Sequence, residues 1–269
     1  MSKPYSVCLI GNSHVAALKM AWSKRAPKLA DGFSLRFFSA QNYMMAHIAL
    51  KGRMLVPGRA DLAEKLRFTS DGLDRIELDD YDAFVIVGSG FGIDVPKLRG
   101  VGGAPSHLGF ARIDNLVSEA CFDAVLEATF AGTHAISLID MIRQVTQAPI
   151  VLVGAPFMSE RLLEDDEIKD DLHMKDRAAL GPYIARARAI AERVAAARGA
   201  DVIWQDESTV AMPGFTRHTF NRGAVRFNLR DGAMPEFDDK HGNEDYGHLV
   251  MTKVVARLDE LSGGRVLAA

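Results

Sequence analysis

Short apolar runs that alternate with longer amphipathic segments are the feature that most constrains the fold of this chain. Two of them, "AFVIV" at 83–87 and "IVLV" at 150–153, contain no polar position. Such strands are typical of the centre of a parallel sheet, because helices cover both faces of that sheet. Further runs at Ser6–Ile10, Ser34–Ser39 and Asp201–Trp204 complete a set of about five predicted strands.

Segments with helical periodicity lie between these strands and after the last one. They cover residues 14–26, 121–146, 180–200 and 244–262. Strands that alternate with helices indicate right-handed crossovers and a parallel sheet. We therefore predict an α/β fold, namely a doubly wound, flavodoxin-like three-layer sandwich in one domain over residues 1–269.

Two regions fit this scheme poorly. Residues 42–80 are predicted to form a loop with a short helix. Residues 206–240 are rich in glycine, proline, arginine and aromatic residues, and they predict an irregular insert near the functional site. Four arginines of this insert, Arg217, Arg222, Arg226 and Arg230, are either solvated or contacts for an acidic substrate group.

Composition and charge argue against several classes of partner. The 269-residue chain is 48% hydrophobic and has a net charge of −3, without a long basic block, so no nucleic-acid partner is expected. The start of the chain lacks the apolar core of a secretory signal, and no apolar stretch is long enough to span a bilayer. We therefore expect no membrane partner and a cytoplasmic location.

A serine stands at the exit of the first predicted strand. The segment "VCLIGNSHVAALKM", 7–20, is an apolar run followed by Gly11, Asn12, Ser13 and His14, and then by helical periodicity. Ser13 either caps the following helix, as serine often does, or is a nucleophile held at the carboxyl edge of the sheet. His14 either lines the same pocket or is an ordinary core or surface histidine.

A carboxylate and an imidazole stand three residues apart before the last predicted helix. In "DDKHGNEDYG", 238–247, Asp238 can orient His241, whose other ring nitrogen can take a proton from a serine hydroxyl. The alternative is that an aspartate only caps the last helix while His241 lies on the surface. Asp245 and His248 have the same spacing, but they fall within the predicted helix.

Together the two segments resemble the first and last motif blocks of the SGNH (GDSL-like) hydrolases, a family of esterases, lipases and deacetylases. The resemblance implies that Ser13 is the nucleophile, His241 the general base and acid, and Asp238 the carboxylate that orients it. It also suggests a small acyl ester, such as an O-acetyl group on a carbohydrate, as the substrate. No cofactor and no metal are expected.

The blocks between these ends depart from the family pattern. The family has a glycine after the second strand, where this chain has "FFSAQN", 37–42, so that a backbone N–H of Ser39 or Ala40 is the expected substitute. The family has Gly-x-Asn after the third strand, where this chain has Gly88, Ser89 and Gly90. The candidate oxyanion or substrate contacts are therefore Asn12, His14, Asn42, Gly88, Ser89 and Gly90, with the Gly92 N–H as a further candidate.

These features predict a serine esterase that uses a Ser-His-Asp triad. Two alternatives stay open: an O-acyltransferase with the same triad, and a carbohydrate-binding protein that keeps the fold without turnover. A dinucleotide-phosphate site at "GSGFG", 88–92, is a weaker alternative, because the spacing is not Gly-x-Gly-x-x-Gly. The acidic segment 164–176 is interpreted as solvated, with a metal site as its alternative.

Overall fold

The computed structural model describes residues 4–25, 33–93, 116–164, 177–225, 227 and 238–264. The strands are β1 Tyr5–Gly11, β2 Phe33–Ser39, β3 Ile48–Lys51, β4 Met54–Pro57, β5 Ile76–Glu77, β6 Ala83–Val87, β7 Ile150–Val153, β8 Met158–Ser159, β9 Ala200–Ile203, β10 Val210–Met212 and β11 Phe215–Thr216. The α-helices are α1 Val15–Arg25, α2 Ala60–Thr69, α3 Glu119–Ala131, α4 His134–Arg143, α5 Arg177–Ala196 and α6 Glu244–Leu261.

Five strands form the central parallel sheet in the order β2-β1-β6-β7-β9. Each lies within one residue of its predicted bounds, which confirms the predicted strand set. The chain winds outward from β1 in both directions, so the sheet is doubly wound as predicted. Strands β6 and β7 are buried along their whole length, as their unbroken apolar sequences require.

Two hydrophobic cores lie on opposite faces of the sheet, because successive side chains of a strand point to opposite faces. Val7 and Leu9 of β1 belong to the core covered by α1 and α6, whereas Cys8 and Ile10 belong to the core covered by α3, α4 and α5. All four side chains are fully buried. The predicted three-layer sandwich is therefore confirmed.

The single helix predicted over 121–146 is wrong, because two helices with a bend of 65° occupy this segment. Helix α3 ends before Gly132, and the Thr133 hydroxyl accepts a hydrogen bond from the Ile136 N–H at 3.4 Å to cap α4. Glycine and threonine are common helix-ending and helix-starting residues, so the "GT" pair was the missed signal. The break places His134 at the first position of α4.

The two irregular regions contain more structure than predicted. Within 42–80, helix α2 is the expected short helix, but a 3₁₀-helix over Asn42–His47 and an antiparallel sheet of β3, β4 and β5 accompany it. Within 206–240, strands β10 and β11 join β8 in a second small sheet. Residues 226 and 228–237 of this insert, and nearly all of the acidic segment 164–176, lie outside the described residues.

Close packing of α1 against α6 fixes the position of the first turn of α6 relative to the central sheet. A Cβ atom at Gly247 would collide with the backbone carbonyl of Ala17, so glycine permits the helices to approach at this point. The contact holds the first turn of α6 beside the turn that follows β1. Among the described helices, none is by itself long and apolar enough to cross a membrane, and α3 and α4 meet that criterion only as a bent pair.

Candidate active site

A cleft of about 320 Å³ opens at the carboxyl end of the central sheet. The strand register explains this position, because Gly11 lies opposite both Ser39 and Val87, and Val87 lies opposite Val153. The turns that follow these strands therefore meet at one edge of the sheet. Open α/β sheets bind their ligands at this edge, next to the strand at which the winding direction reverses.

Ser13 lies in the turn between β1 and α1 and is 9% exposed. Its Oγ is 2.7 Å from Nε2 of His241, although 228 positions separate the two residues in the chain. Among the described residues this hydroxyl bonds to His241 and not to a backbone N–H of α1. The geometry thus departs from a helix cap and resembles a serine paired with a base.

Asp238 completes a chain of hydrogen-bonded side chains, Ser13–His241–Asp238, which is called the relay below. Its Oδ2 is 2.8 Å from His241 Nδ1, and its Oδ1 accepts the backbone N–H groups of Lys240 and His241 at 2.8 and 3.1 Å. The side chain is 1% exposed, so the carboxylate is held on both oxygens and shielded from water. Asn243, and not an aspartate, caps α6 by accepting the Tyr246 N–H. The alternative pair, Asp245 and His248, lies inside α6 and does not line the cleft.

The loop that carries His241 is anchored by residues that the sequence did not single out. Buried Asn221 donates through Nδ2 to the His241 carbonyl at 2.9 Å. Asn243 donates to the carbonyls of Thr219 and Arg222, and the Ser159 N–H donates to the Asp239 carbonyl at 2.8 Å. These bonds hold the loop of His241 against two neighbouring segments, residues 219–222 and β8.

His14 forms part of the cleft wall and is half-buried. Its ring lies 5.0 Å from the His241 ring, at an interplanar angle of 31°. Its Nδ1 is buried without a hydrogen-bond partner in the described part of the chain. Burial, and next the proximity of His241, lower the pKa of the His14 imidazole to about 3. His14 therefore contributes an uncharged ring beside the Ser13–His241 pair at neutral pH.

Neither expected donor after β2 faces the cleft with a free N–H. The Ser39 N–H donates to the Ser70 hydroxyl at 3.0 Å, and the Ala40 N–H donates to the Gly11 carbonyl at 3.3 Å. The expectation that one of these groups replaces the family glycine is therefore wrong for this structure. Asn42 begins the 3₁₀-helix that follows, and its side chain lies outside the described residues.

The turn after β6 brings Ser89 and Gly90 to the cleft. Gly88, Ser89 and Gly90 are consecutive left-handed residues with φ of 62°, 52° and 85°, a conformation that costs a non-glycine residue about 1–2 kcal/mol. The Ser89 hydroxyl donates to the Val87 carbonyl at 3.3 Å, so in this geometry it is not aimed at an oxyanion. Gly88 lies beneath the wall and does not line the cleft.

Four donors remain for an oxyanion near Ser13. No hydrogen bond within the described residues occupies the N–H of Ser13, of Gly90 or of Gly92. The Asn12 side chain accepts the His14 N–H through Oδ1 at 3.2 Å, and its amide nitrogen donates to no described residue. Asn12, Ser13, Gly90 and Gly92 all line the cleft. One primary amide and three backbone N–H groups are thus available where the family uses a different asparagine.

Eight further lining residues were not among the site candidates that the sequence indicated. They are Tyr43, Met45, Ile93, His134, Ala155, Pro156, Met158 and Lys240. Ala155 and Pro156 follow β7, so the rule that ligands bind at strand carboxyl ends could have found them. His134 enters the site only because α3 and α4 are separate helices, and its ring lies 6.3 Å from that of Tyr43.

Two expectations about charged groups can be placed only in part. Arg217 and Arg222 are exposed and do not line the cleft, and Arg226 and Arg230 lie outside the described residues. Among the residues that the structure describes, no three His, Cys, Asp or Glu side chains are grouped in a way that could hold a metal ion.

No protein-family model matches the chain, and no curated protein is significantly similar to it. Solved structures do show similarity. A lipase from a goat rumen metagenome aligns with a TM-score of 0.42 at 13% identity, over 93% of this chain and 96% of that one. A putative GDSL-like lipase from Bacteroides ovatus aligns with a TM-score of 0.38 at 12% identity, over 97% of this chain and 55% of that one.

A third structure, the periplasmic domain of a lipopolysaccharide acetyltransferase from Salmonella ser. Paratyphi A, has a TM-score of 0.41 at 11% identity, over 96% of this chain and 85% of that one. With TM-scores below 0.5, these similarities concern shape and say nothing of activity.

Proposed function

We propose that this protein is a serine hydrolase of the SGNH type that acts on a small acyl ester. One observation carries the proposal: Ser13 Oγ, His241 and Asp238 form an unbroken relay with contacts of 2.7 and 2.8 Å at the carboxyl edge of the sheet. A serine hydroxyl is a weak nucleophile without an adjacent base, and this arrangement supplies both the base and the group that orients it.

In the first step Ser13 Oγ attacks the ester carbonyl carbon while His241 Nε2 takes the hydroxyl proton. The Asp238 carboxylate stabilises the imidazolium that forms and holds its Nδ1–H. Negative charge develops on the former carbonyl oxygen, where the Asn12 amide and the N–H groups of Ser13, Gly90 and Gly92 are the available donors. Loss of one such donor lowers turnover by about 10²–10³-fold in enzymes of this kind.

In the second step the tetrahedral intermediate collapses and His241 gives its proton to the leaving alcohol oxygen. The acyl group is then bound to Ser13 as an ester. Water, deprotonated by His241, attacks this ester, and the proton returns to Ser13 Oγ as the acid departs. An alcohol in place of water gives acyl transfer through the same acyl-enzyme, so one triad serves both reactions.

The test is covalent labelling with a fluorophosphonate, which reacts with activated serine hydroxyls. We expect one adduct, mapped to Ser13 by peptide mass. It should be absent in Ser13→Ala, strongly slowed in His241→Ala, and unchanged in Ser23→Ala, which removes an exposed hydroxyl from α1. A folded wild-type protein that forms no adduct would contradict the proposal and favour a binding protein without turnover.

A further inference from the structure

The described lining of the cleft contains basic and neutral groups but no carboxylate. Its titratable side chains are Tyr43, Lys240 and the histidines His14, His134 and His241. The whole chain carries 35 acidic against 32 basic residues, so this local composition is opposite in sign to the chain as a whole. The carboxylate of the relay, that of Asp238, is 1% exposed and lies behind His241 as seen from Ser13.

Lys240 is the lysine among the described residues that line the cleft. It is exposed, and it forms no ion pair within the described part of the chain. Three of the five other lysines in the described residues form such pairs, namely Lys19 with Asp71, Lys24 with Glu244 and Lys253 with Asp206. Among the described residues, the Lys240 ammonium group is thus a cation of the cleft lining that no carboxylate neutralises, and it is available to an anion that enters from solution.

The position of Lys240 assigns that anion to one part of the substrate. In the proposed mechanism His241 protonates the leaving oxygen, so the alcohol portion lies on the His241 side. Lys240 precedes His241, and its backbone N–H is bonded to Asp238. The Asp239 carbonyl accepts the Ser159 N–H, which places this loop beside Met158 on the same side of the cleft.

We infer that the natural substrate carries an anionic group, a carboxylate or a phosphate, on its alcohol portion, and that Lys240 binds this group. The inference rests on the proposed function and names the substrate class for that site. An ammonium group binds either anion as a point charge, so both groups share the chemistry that Lys240 recognises.

The test uses three acetate esters with related aromatic alcohols: methyl 4-acetoxybenzoate, which is neutral, 4-acetoxybenzoate, and 4-acetoxyphenyl phosphate. The measured quantity is kcat/KM for each anionic ester divided by that for the neutral ester. Comparing this ratio between variants cancels the intrinsic reactivity of each ester. The variants are Lys240→Met, Lys240→Arg and, as a matched loss of an exposed lysine away from the cleft, Lys51→Met.

We expect Lys240→Met to lower the ratio by about three- to tenfold, the range for one partly exposed charge contact. Lys240→Arg and Lys51→Met should keep the wild-type ratio. The anion whose ratio falls further identifies the group recognised. Added salt should raise KM for the anionic esters more than for the neutral one, because ions screen exposed charges.

A ratio in Lys240→Met equal to that of the wild type would overturn the inference while leaving the proposed esterase intact. Failure of Ser13 to react with fluorophosphonate would instead overturn the proposed function, so the two failures are distinguishable. If turnover of all three esters is too slow, the same ratio is taken from protection. The concentrations of 4-hydroxybenzoate and its methyl ester that halve the rate of Ser13 labelling are then compared between wild type and Lys240→Met.

Discussion

Replacing Asp238 by asparagine should abolish most of the reactivity of Ser13 without unfolding the protein. The side chain keeps its shape, and its remaining oxygen can still accept the N–H groups of Lys240 and His241. The amide NH₂ would face His241 Nδ1, however, and would favour the tautomer with a proton on Nε2. That nitrogen would then donate to Ser13 Oγ and could not accept its proton.

The magnitude follows from the geometry of the pair. At the observed 2.8 Å between Nδ1 and Oδ2, with an effective dielectric constant of about 20, a charged imidazolium and carboxylate attract by ~6 kcal/mol. Loss of this attraction in the transition state corresponds to about four powers of ten in rate. The same substitution in the Ser-His-Asp triad of serine proteases lowers kcat by about 10⁴-fold. We therefore expect the rate of Ser13 labelling to fall by about 10³–10⁴-fold.

The assay is the second-order rate constant for fluorophosphonate labelling of Ser13, which needs no knowledge of the substrate. The control is Asp239→Asn, which removes the neighbouring, partly exposed carboxylate and should change the rate by less than twofold. Circular dichroism and a denaturation curve establish that both variants are folded. A loss below about tenfold in Asp238→Asn would refute the assignment of Asp238 as the partner of the base.

Three further predictions concern the walls of the site. Gly88→Ala places a Cβ atom 2.7 Å from both Asn12 Oδ1 and His14 Cδ2, at a residue whose φ is 62°. The substitution should therefore lower the free energy of unfolding by about 1–3 kcal/mol and slow the labelling of Ser13. An unchanged midpoint of urea unfolding would contradict this prediction. Asn221→Ala removes the side chain that donates to the His241 carbonyl, and it should lower the esterase kcat about tenfold in a folded protein. A loss of less than twofold would show that the His241 loop keeps its position without this hydrogen bond. Burial lowers the pKa of His14 in the folded state to about 3, from its ordinary value of 6.5. The unfolded chain therefore binds more protons between these values, and stability should fall as the pH drops from about 6.5 towards 3, by at most ~1.4 kcal/mol per pH unit. His14→Gln should flatten this part of a plot of urea-unfolding free energy against pH, and an unchanged slope would mean that His14 does not titrate in this way.

Local sequence was sufficient for the sheet and for the members of the relay. Each central strand carries its own apolar pattern, so its bounds could be predicted to within one residue. Ser13 and the pair Asp238 and His241 each stand beside a predicted strand end or helix start, where polar residues have a specific chemical use. The long helix over 121–146 shows the limit, because its apolar periodicity continues across the break at Gly132 and concealed the start of α4.

Only the tertiary structure decided which groups share the cleft. The 2.7 Å contact of Ser13 with His241 joins the two ends of the chain, and it depends on the packing of α6 against α1. The donors at Ser39 and Ala40 were excluded because Ser70 and Gly11, which no local pattern links to them, accept their N–H groups. The apolar periodicity of a segment depends on the environment of one helix or strand at a time. A hydrogen-bond partner, or the set of charged groups that lines a cleft, depends instead on how several elements are placed relative to each other.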